Sequence, residues 1–219
     1  MMAHLHQHFH ASEPTLETSG NVLHWAPLYD ALSHHILRRS EASIRALAQV
    51  KPGDKILDVG CGPGRLTLAA QGWVGPAGEA HGIDPSPEMI AVAQRNAART
   101  GMPAQFQKGL VEALPFPDAT FDVVMSRLVL HHLPGDLKRR GLAEMRRVLK
   151  PGGVCLVVDF EPPTGLALRL LAGLLVHPMM KIDARDYVPL LVEAGFAEVE
   201  AGPTGSRFLS FVRGKSPGV

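Results

Sequence analysis

The chain has little cysteine. Cys61 and Cys155 are the only two, and each falls in an expected strand or at its exit, so no spaced disulfide framework is present. Reduced thiols and a cytoplasmic location are the simple reading. A charge of one sign is also missing. The 22 basic and 21 acidic side chains leave a formal +1, so no global field recruits nucleic acid or an anionic membrane. No basic segment leading into an apolar run stands at the start, so a signal peptide is not expected. The longest apolar stretch, residues 165–176, is broken by Arg169 and falls short of the roughly 20 residues that span a bilayer. No stable membrane insertion is expected.

What remains is ordinary for a folded domain. The chain is 46% hydrophobic and 20% charged over 219 residues, enough for one α/β domain and too short for two. Residues 1–20 are polar and low in complexity, with His4, His6, His8 and His10 alternating; they read as a disordered tail. Imidazoles at that spacing could take a transition metal, but no acids accompany them to fix a geometry, and no metal site is assigned. Residues 21–215 read as a single domain.

Within that domain strands and helices alternate. A helix is expected over 30–50, ended by Lys51-Pro52-Gly53-Asp54. Strands are expected at 55–59, 79–83, 104–108, 121–125 and 154–158, with helices at 65–73, from Ser86 to near Gly101, and at 135–149. Ser86 is placed as an N-cap. Asp183 and Asp186 suggest the start of a further helix closed by Gly195. Residues 199–201 and 207–212 suggest a closing hairpin. Repeated β-α units imply a mostly parallel sheet covered on both faces, with ligands bound beyond the C-terminal strand ends.

Two motifs stand at those ends. Ile56-Leu57-Asp58-Val59-Gly60-Cys61-Gly62-Pro63-Gly64 lets the backbone turn sharply and approach a ligand closely. A dinucleotide fingerprint would need a third glycine where Arg65 stands. Asp58, just before the turn, suits a ligand with a positive group better than a pyrophosphate. A nicotinamide-dependent oxidoreductase is therefore opposed twice. The second motif, Gly82-Ile83-Asp84-Pro85-Ser86-Pro87, ends in an acid that can accept from both hydroxyls of a ribose, or simply cap the following helix.

Together with Leu114-Pro115-Phe116-Pro117, Phe121-Asp122-Val123-Val124 and Val148-Leu149-Lys150-Pro151-Gly152-Gly153, these motifs resemble the class I S-adenosylmethionine-dependent methyltransferases. Within them they are most similar to the branch that includes the ubiquinone and menaquinone C-methyltransferases. The resemblance covers about residues 28–160. It implies a three-layer Rossmann-like fold with seven strands, mostly parallel and the last antiparallel. It implies S-adenosylmethionine as cofactor, with methionine-end contacts from Asp58, Gly60, Cys61, Gly62 and Gly64 and ribose contacts from Asp84 and Pro85. Met89 would flank the adenine, the backbone of Leu110 and Val111 would meet its edge, and Tyr29, Ser126 and Arg127 would border the cofactor. Many relatives carry Gly-Asp where this chain has Gly109-Leu110, so one acceptor for the adenine amino group is missing, a bond worth on the order of 1 kcal/mol.

The acceptor side is less explicit. Fourth-strand motifs of nucleic-acid amino or cytosine-C5 methylation are absent from residues 125–134, and neither cysteine is placed for covalent catalysis, so a small-molecule acceptor is expected. His131 and His132 could supply a general base; packing under the following helix or facing solvent is the competing reading, favoured for His132. Orientation and exclusion of water carry most of such a reaction, and no single side chain is expected to be indispensable. The apolar insert at about 162–182 is expected to wall an apolar or aromatic acceptor site, or else to cover the sheet or a dimer contact. A monomer or homodimer is expected. A non-catalytic S-adenosylmethionine-binding regulator or assembly protein stays open as the second reading.

Overall fold

The computed structural model describes residues 41–162, 183–206 and 209–218. Tyr29, the histidine-rich tail and most of the apolar insert lie outside them. The described elements run α1 (Glu41–Leu47), β1 (Lys55–Val59), α2 (Arg65–Val74), β2 (Glu79–Asp84), α3 (Pro87–Thr100), β3 (Gln105–Lys108) and β4 (Phe121–Arg127). A 3-10 turn (Leu130–His132) leads into α4 (Gly135–Val148) and β5 (Leu149–Phe160). A second 3-10 turn (Ala184–Tyr187), α5 (Val188–Glu193), β6 (Ala197–Pro203) and β7 (Leu209–Lys215) follow.

The strands form one seven-stranded sheet in the order β3-β2-β1-β4-β5-β7-β6. β1 through β5 pair in parallel, and β7 enters antiparallel between β5 and β6. Alternation along each central strand divides the core. Leu57, Val59, Val124, Cys155 and Val157 pack with Leu142, Met145 and Leu191 of α4 and α5. Ile56, Val123, Met125, Leu156 and Val158 pack with Ile44, Leu66, Ala70 and Val74 of α1 and α2. A period of two with both faces apolar is the signature of a sheet between two helical layers, and the expected three-layer fold is the one observed. Among the described residues no helix is long and apolar enough to cross a membrane.

Local chemistry sets the element ends. Ser86 accepts the Met89 N–H at 3.2 Å, Pro87 opens α3, and Gly101 closes it in the left-handed region. β5 begins earlier than expected. Lys150–Gly153 does stop α4, but Phe121 already pairs with Leu149, and the register jumps before Val123 pairs with Val154. Gly152 donates to the Ser216 carbonyl and Ser216 donates back to that of Gly153, which ties the excursion to the chain after β7. After Asp183 the expected continuous helix is instead a 3-10 turn and one short helix. Asp183 takes the Arg185 N–H at 2.9 Å, and Pro189, in the first turn of α5, cannot donate back into the preceding turn.

Candidate functional site

β1 ends at Val59 and the chain turns at once. The N–H groups of Gly60 and Cys61 both donate to the Ile83 carbonyl of β2 at 2.8 Å. Gly60 sits at φ +74, and a Cβ there would lie 2.3 Å from Cγ2 of Val129, so glycine is required by both backbone and packing. Gly62, at φ +51, differs: among the described residues a Cβ there would meet nothing within 4 Å. The turn is pinned on the protein side at Gly60 and open on the other side at Gly62. Gly64 N-caps α2. Cys61 is buried, and burial pushes its thiol up, with the charges of Asp58 and Asp84 adding to the effect.

Asp58 is 2% exposed. Its Oδ2 accepts the Thr67 hydroxyl at 2.7 Å. Burial pushes its carboxyl up to about 6, Asp84 adds to the rise, and the Thr67 bond and the Arg127 charge work against it. Asp84 ends β2, and burial raises its carboxyl too. Its Oδ2 accepts the Gly62 N–H and its Oδ1 the Ser86 N–H, both at 2.9 Å. The cap of α3 is therefore Ser86, and Asp84 bridges two loops. Two buried acids at the ends of adjacent strands, with Arg127 of β4 as the described charge that favours ionised Asp58, concentrate negative charge here. That suits a ligand carrying an ammonium group and hydroxyl donors.

The other expected residues divide. Pro85 sits between Asp84 and the cap, and Met89 is buried in the first turn of α3. Leu110 and Val111 are buried in the loop after β3, where Leu110 bridges to Ala113. The Val111 side chain closes on Gly141 of α4, which leaves the loop backbone rather than that side chain for a ligand. Ser126 spends its hydroxyl on the Val59 carbonyl at 3.0 Å, so it locks β4 to the end of β1.

Three arrangements had no sequence signal of their own, although His131 by itself stands out in the sequence. Thr67 lies one helical turn into α2, and only the fold brings it to Asp58. Glu144 and Arg147 of α4 clamp the loop that carries Leu110: Glu144 takes the Leu114 N–H at 2.8 Å, and Arg147 donates to the carbonyls of Leu114 and Phe116. The third is a buried hydrogen-bonded set beyond β4 and β5. Nδ1 of His131 lies 2.8 Å from Oδ1 of Asp159. The hydroxyl of Tyr187 donates to Oδ2 of Asp159 at 3.1 Å. His132 is half-buried, and burial together with the His131 charge pushes its imidazole down to about 4. Cys155, pushed up to about 12 by burial, is inert.

Known proteins resemble this chain in sequence and fold. Residues 56–153 match the family described as "Methyltransferase domain". The chain is 36% identical over 146 residues to the demethylmenaquinone methyltransferase of Bacillus cytotoxicus, covering 64% of this chain and 61% of that one. It is 38% identical over 132 residues to the ubiquinone/menaquinone biosynthesis C-methyltransferase UbiE of Burkholderia mallei, covering 60% and 54%. The chain thus spans less than two thirds of the length of these curated relatives. Among solved structures, an S-adenosylmethionine-dependent methyltransferase from Methanosarcina mazei superposes with a TM-score of 0.62 at 25% identity. It covers 78% of this chain and 95% of that one.

Proposed function

We propose that this chain carries a class I S-adenosylmethionine-dependent methyltransferase domain, similar to those of the ubiquinone/menaquinone C-methyltransferases, and that it transfers a methyl group to a small apolar or aromatic acceptor. The observation that carries the reading is the pair of buried acids, Asp58 and Asp84, on either side of a glycine turn open at Gly62. An amino-acid ammonium beside Asp58 would add its positive charge to that of Arg127 in favouring the buried carboxylate. Vicinal ribose hydroxyls can donate to Asp84, whose two bonds to N–H groups leave lone pairs in reserve.

In this reading the backbone of Gly60, Cys61, Gly62 and Gly64 receives the methionine end. Pro85, Met89, Leu110 and Val111 flank the nucleoside, and Tyr29, Ser126 and Arg127 border the cofactor. The bound cofactor supplies an activated methyl group. The protein's part is to hold the two reactants in line and keep water out. The residues at about 162–182 would form one wall of the acceptor site. The similarity to a demethylmenaquinone methyltransferase and to a ubiquinone/menaquinone biosynthesis C-methyltransferase favours a quinone-related acceptor.

Incubation with methyl-labelled S-adenosylmethionine and a panel of hydroquinones, phenols, amines and thioethers tests this. Label in an apolar aromatic acceptor is the expected result. Tight cofactor binding without transfer to any member would instead favour the regulator or assembly reading, which the leucine at position 110 keeps in view.

A further inference from the structure

The binding role assigned above makes no use of the His131–Asp159–Tyr187 set, although it lies at the same end of the sheet. His131 follows the C-terminal end of β4, and Asp159 stands at the C-terminal end of the adjacent β5. The Asp159 side chain is 0% exposed and receives four donors. Oδ1 faces Nδ1 of His131 at 2.8 Å and takes the Phe160 N–H at 2.9 Å. Oδ2 takes the His131 N–H and the Tyr187 hydroxyl, both at 3.1 Å. Four donors fix the carboxylate, and the carboxylate fixes the ring. With Nδ1–H given to Asp159, Nε2 holds the lone pair.

The His131 side chain is 3% exposed, wedged between the rings of His132 at 3.9 Å and Phe160 at 4.9 Å. Its Nε2 carries no hydrogen bond among the described residues, yet it is not one of the fully buried unsatisfied side-chain atoms. Here one nitrogen is clamped to a buried acid and the other has no partner among the described residues, an arrangement that suits a general base.

We propose that His131 is the general base that takes a hydroxyl proton from the acceptor, with Asp159 and Tyr187 as its positioning residues, so that the acceptor is a phenol or hydroquinone rather than a sulfide or tertiary amine. The inference rests on the methyl-transfer reading. As the hydroxyl proton passes to Nε2, the electron pair it leaves on oxygen forms the bond to the methyl carbon. The carbon–sulfur bond breaks with its pair staying on sulfur, and a neutral thioether results. Where the pair is delivered through the ring to an adjacent carbon, that carbon's proton returns to the oxygen and the ring is restored. The imidazolium left at His131 sits against Asp159 and later gives its proton to solvent. Among the described residues the other ionisable groups around this set are His132 on the same turn, Asp186 beside Tyr187 on the second 3-10 turn, and Lys138 of α4, whose Nζ lies 5.6 Å from the Tyr187 ring. A sulfide or tertiary amine has no proton to lose and would gain nothing from the arrangement.

The test uses the full chain and two readouts. Calorimetry with S-adenosylhomocysteine first establishes that the cofactor side is intact in wild type, His131→Gln, Asp159→Asn and Tyr187→Phe. Then 4-nitrocatechol is titrated into each S-adenosylhomocysteine complex at a pH about one unit below its own ionisation, and its absorbance is read. Wild type should bind it as the phenolate. His131→Gln should lose that shift while keeping its affinity for S-adenosylhomocysteine within about twofold, and Asp159→Asn and Tyr187→Phe should weaken it in that order. In turnover with labelled cofactor, His131→Gln should lower kcat about 10²- to 10⁴-fold with little change in KM. The loss should shrink as the phenol becomes more acidic, a dependence that a merely structural role would not produce. Tyr187→Phe removes a single oxygen and keeps the test available should the other variants fail to fold. A probe that binds wild type as the neutral phenol, or not at all, overturns the inference, as does a His131→Gln protein with the wild-type spectrum. Failure of S-adenosylhomocysteine to bind wild type would remove the methyl-transfer reading itself and this inference with it.

Discussion

Oδ2 of Asp84 accepts the backbone N–H of Gly62 at 2.9 Å, so the acid that ends β2 also holds the turn that leaves β1. The same carboxylate takes the Ser86 N–H, and one side chain thus aligns the glycine turn and the start of α3. Asp84→Ala should leave both N–H groups without their acceptor and cost about 1–3 kcal/mol in a denaturant titration. Calorimetry should show S-adenosylhomocysteine affinity falling by roughly tenfold or more, because charge-assisted bonds to ligand hydroxyls are lost as well.

Asp58 makes both stability and binding depend on pH, with opposite signs. Its folded pKa of about 6 lies above the ordinary value of 3.8, so ionisation costs the folded state. Its contribution is fully favourable below about pH 4 and is lost as pH rises toward 6, roughly 3 kcal/mol at most. A ligand ammonium reverses the preference, since it favours the carboxylate. S-adenosylhomocysteine should therefore bind more tightly as pH rises from 5 to 7. Calorimetry across that range checks the trend, and Asp58→Asn should flatten it while weakening affinity by about 10- to 100-fold.

Thr67 tunes the same group. Its hydroxyl bond to Asp58 is the largest of the influences that hold the Asp58 carboxyl down. Thr67→Val keeps the shape and removes the donor. The rise in affinity with pH should then shift to higher pH, and affinity near pH 6 should drop severalfold, on the scale of one bond to a charged group.

The two glycines should separate folding from binding. Gly60→Ala sets a Cβ into Val129 at positive φ and should destabilise by about 3 kcal/mol or more. Gly62→Ala meets nothing among the described residues and should cost only the left-handed backbone penalty, about 1–2 kcal/mol. Affinity for S-adenosylhomocysteine should nonetheless fall in Gly62→Ala, because the new methyl group projects on the open side of the turn. Thermal melting and calorimetry on the same preparations distinguish the two effects.

Much of this architecture was legible because short-range rules carry it. The alternation of apolar residues in β1, β4 and β5, the Ser86 cap with Gly101, and the glycine turn after Asp58 are each written within a few adjacent positions. What escaped is nonlocal. His131 and Asp159 are 28 residues apart, as are Asp159 and Tyr187, and no spacing rule pairs them. Only the neighbouring of β4 and β5, with the chain returning at Tyr187, puts an acid under that histidine. The Glu144–Arg147 clamp on the Leu114 loop is hidden for the same reason. Misplaced boundaries have local causes: Pro189 divides the segment after Asp183, and the bulge between Phe121 and Val123 lets β5 start at Leu149.

The most direct test of the central claim is calorimetric titration of the wild-type chain with S-adenosylmethionine, S-adenosylhomocysteine and NAD at pH 7.5, where Asp58 is ionised. The account predicts micromolar binding of both sulfur compounds and none of NAD. Binding of NAD in their place, or of none of the three, would contradict it.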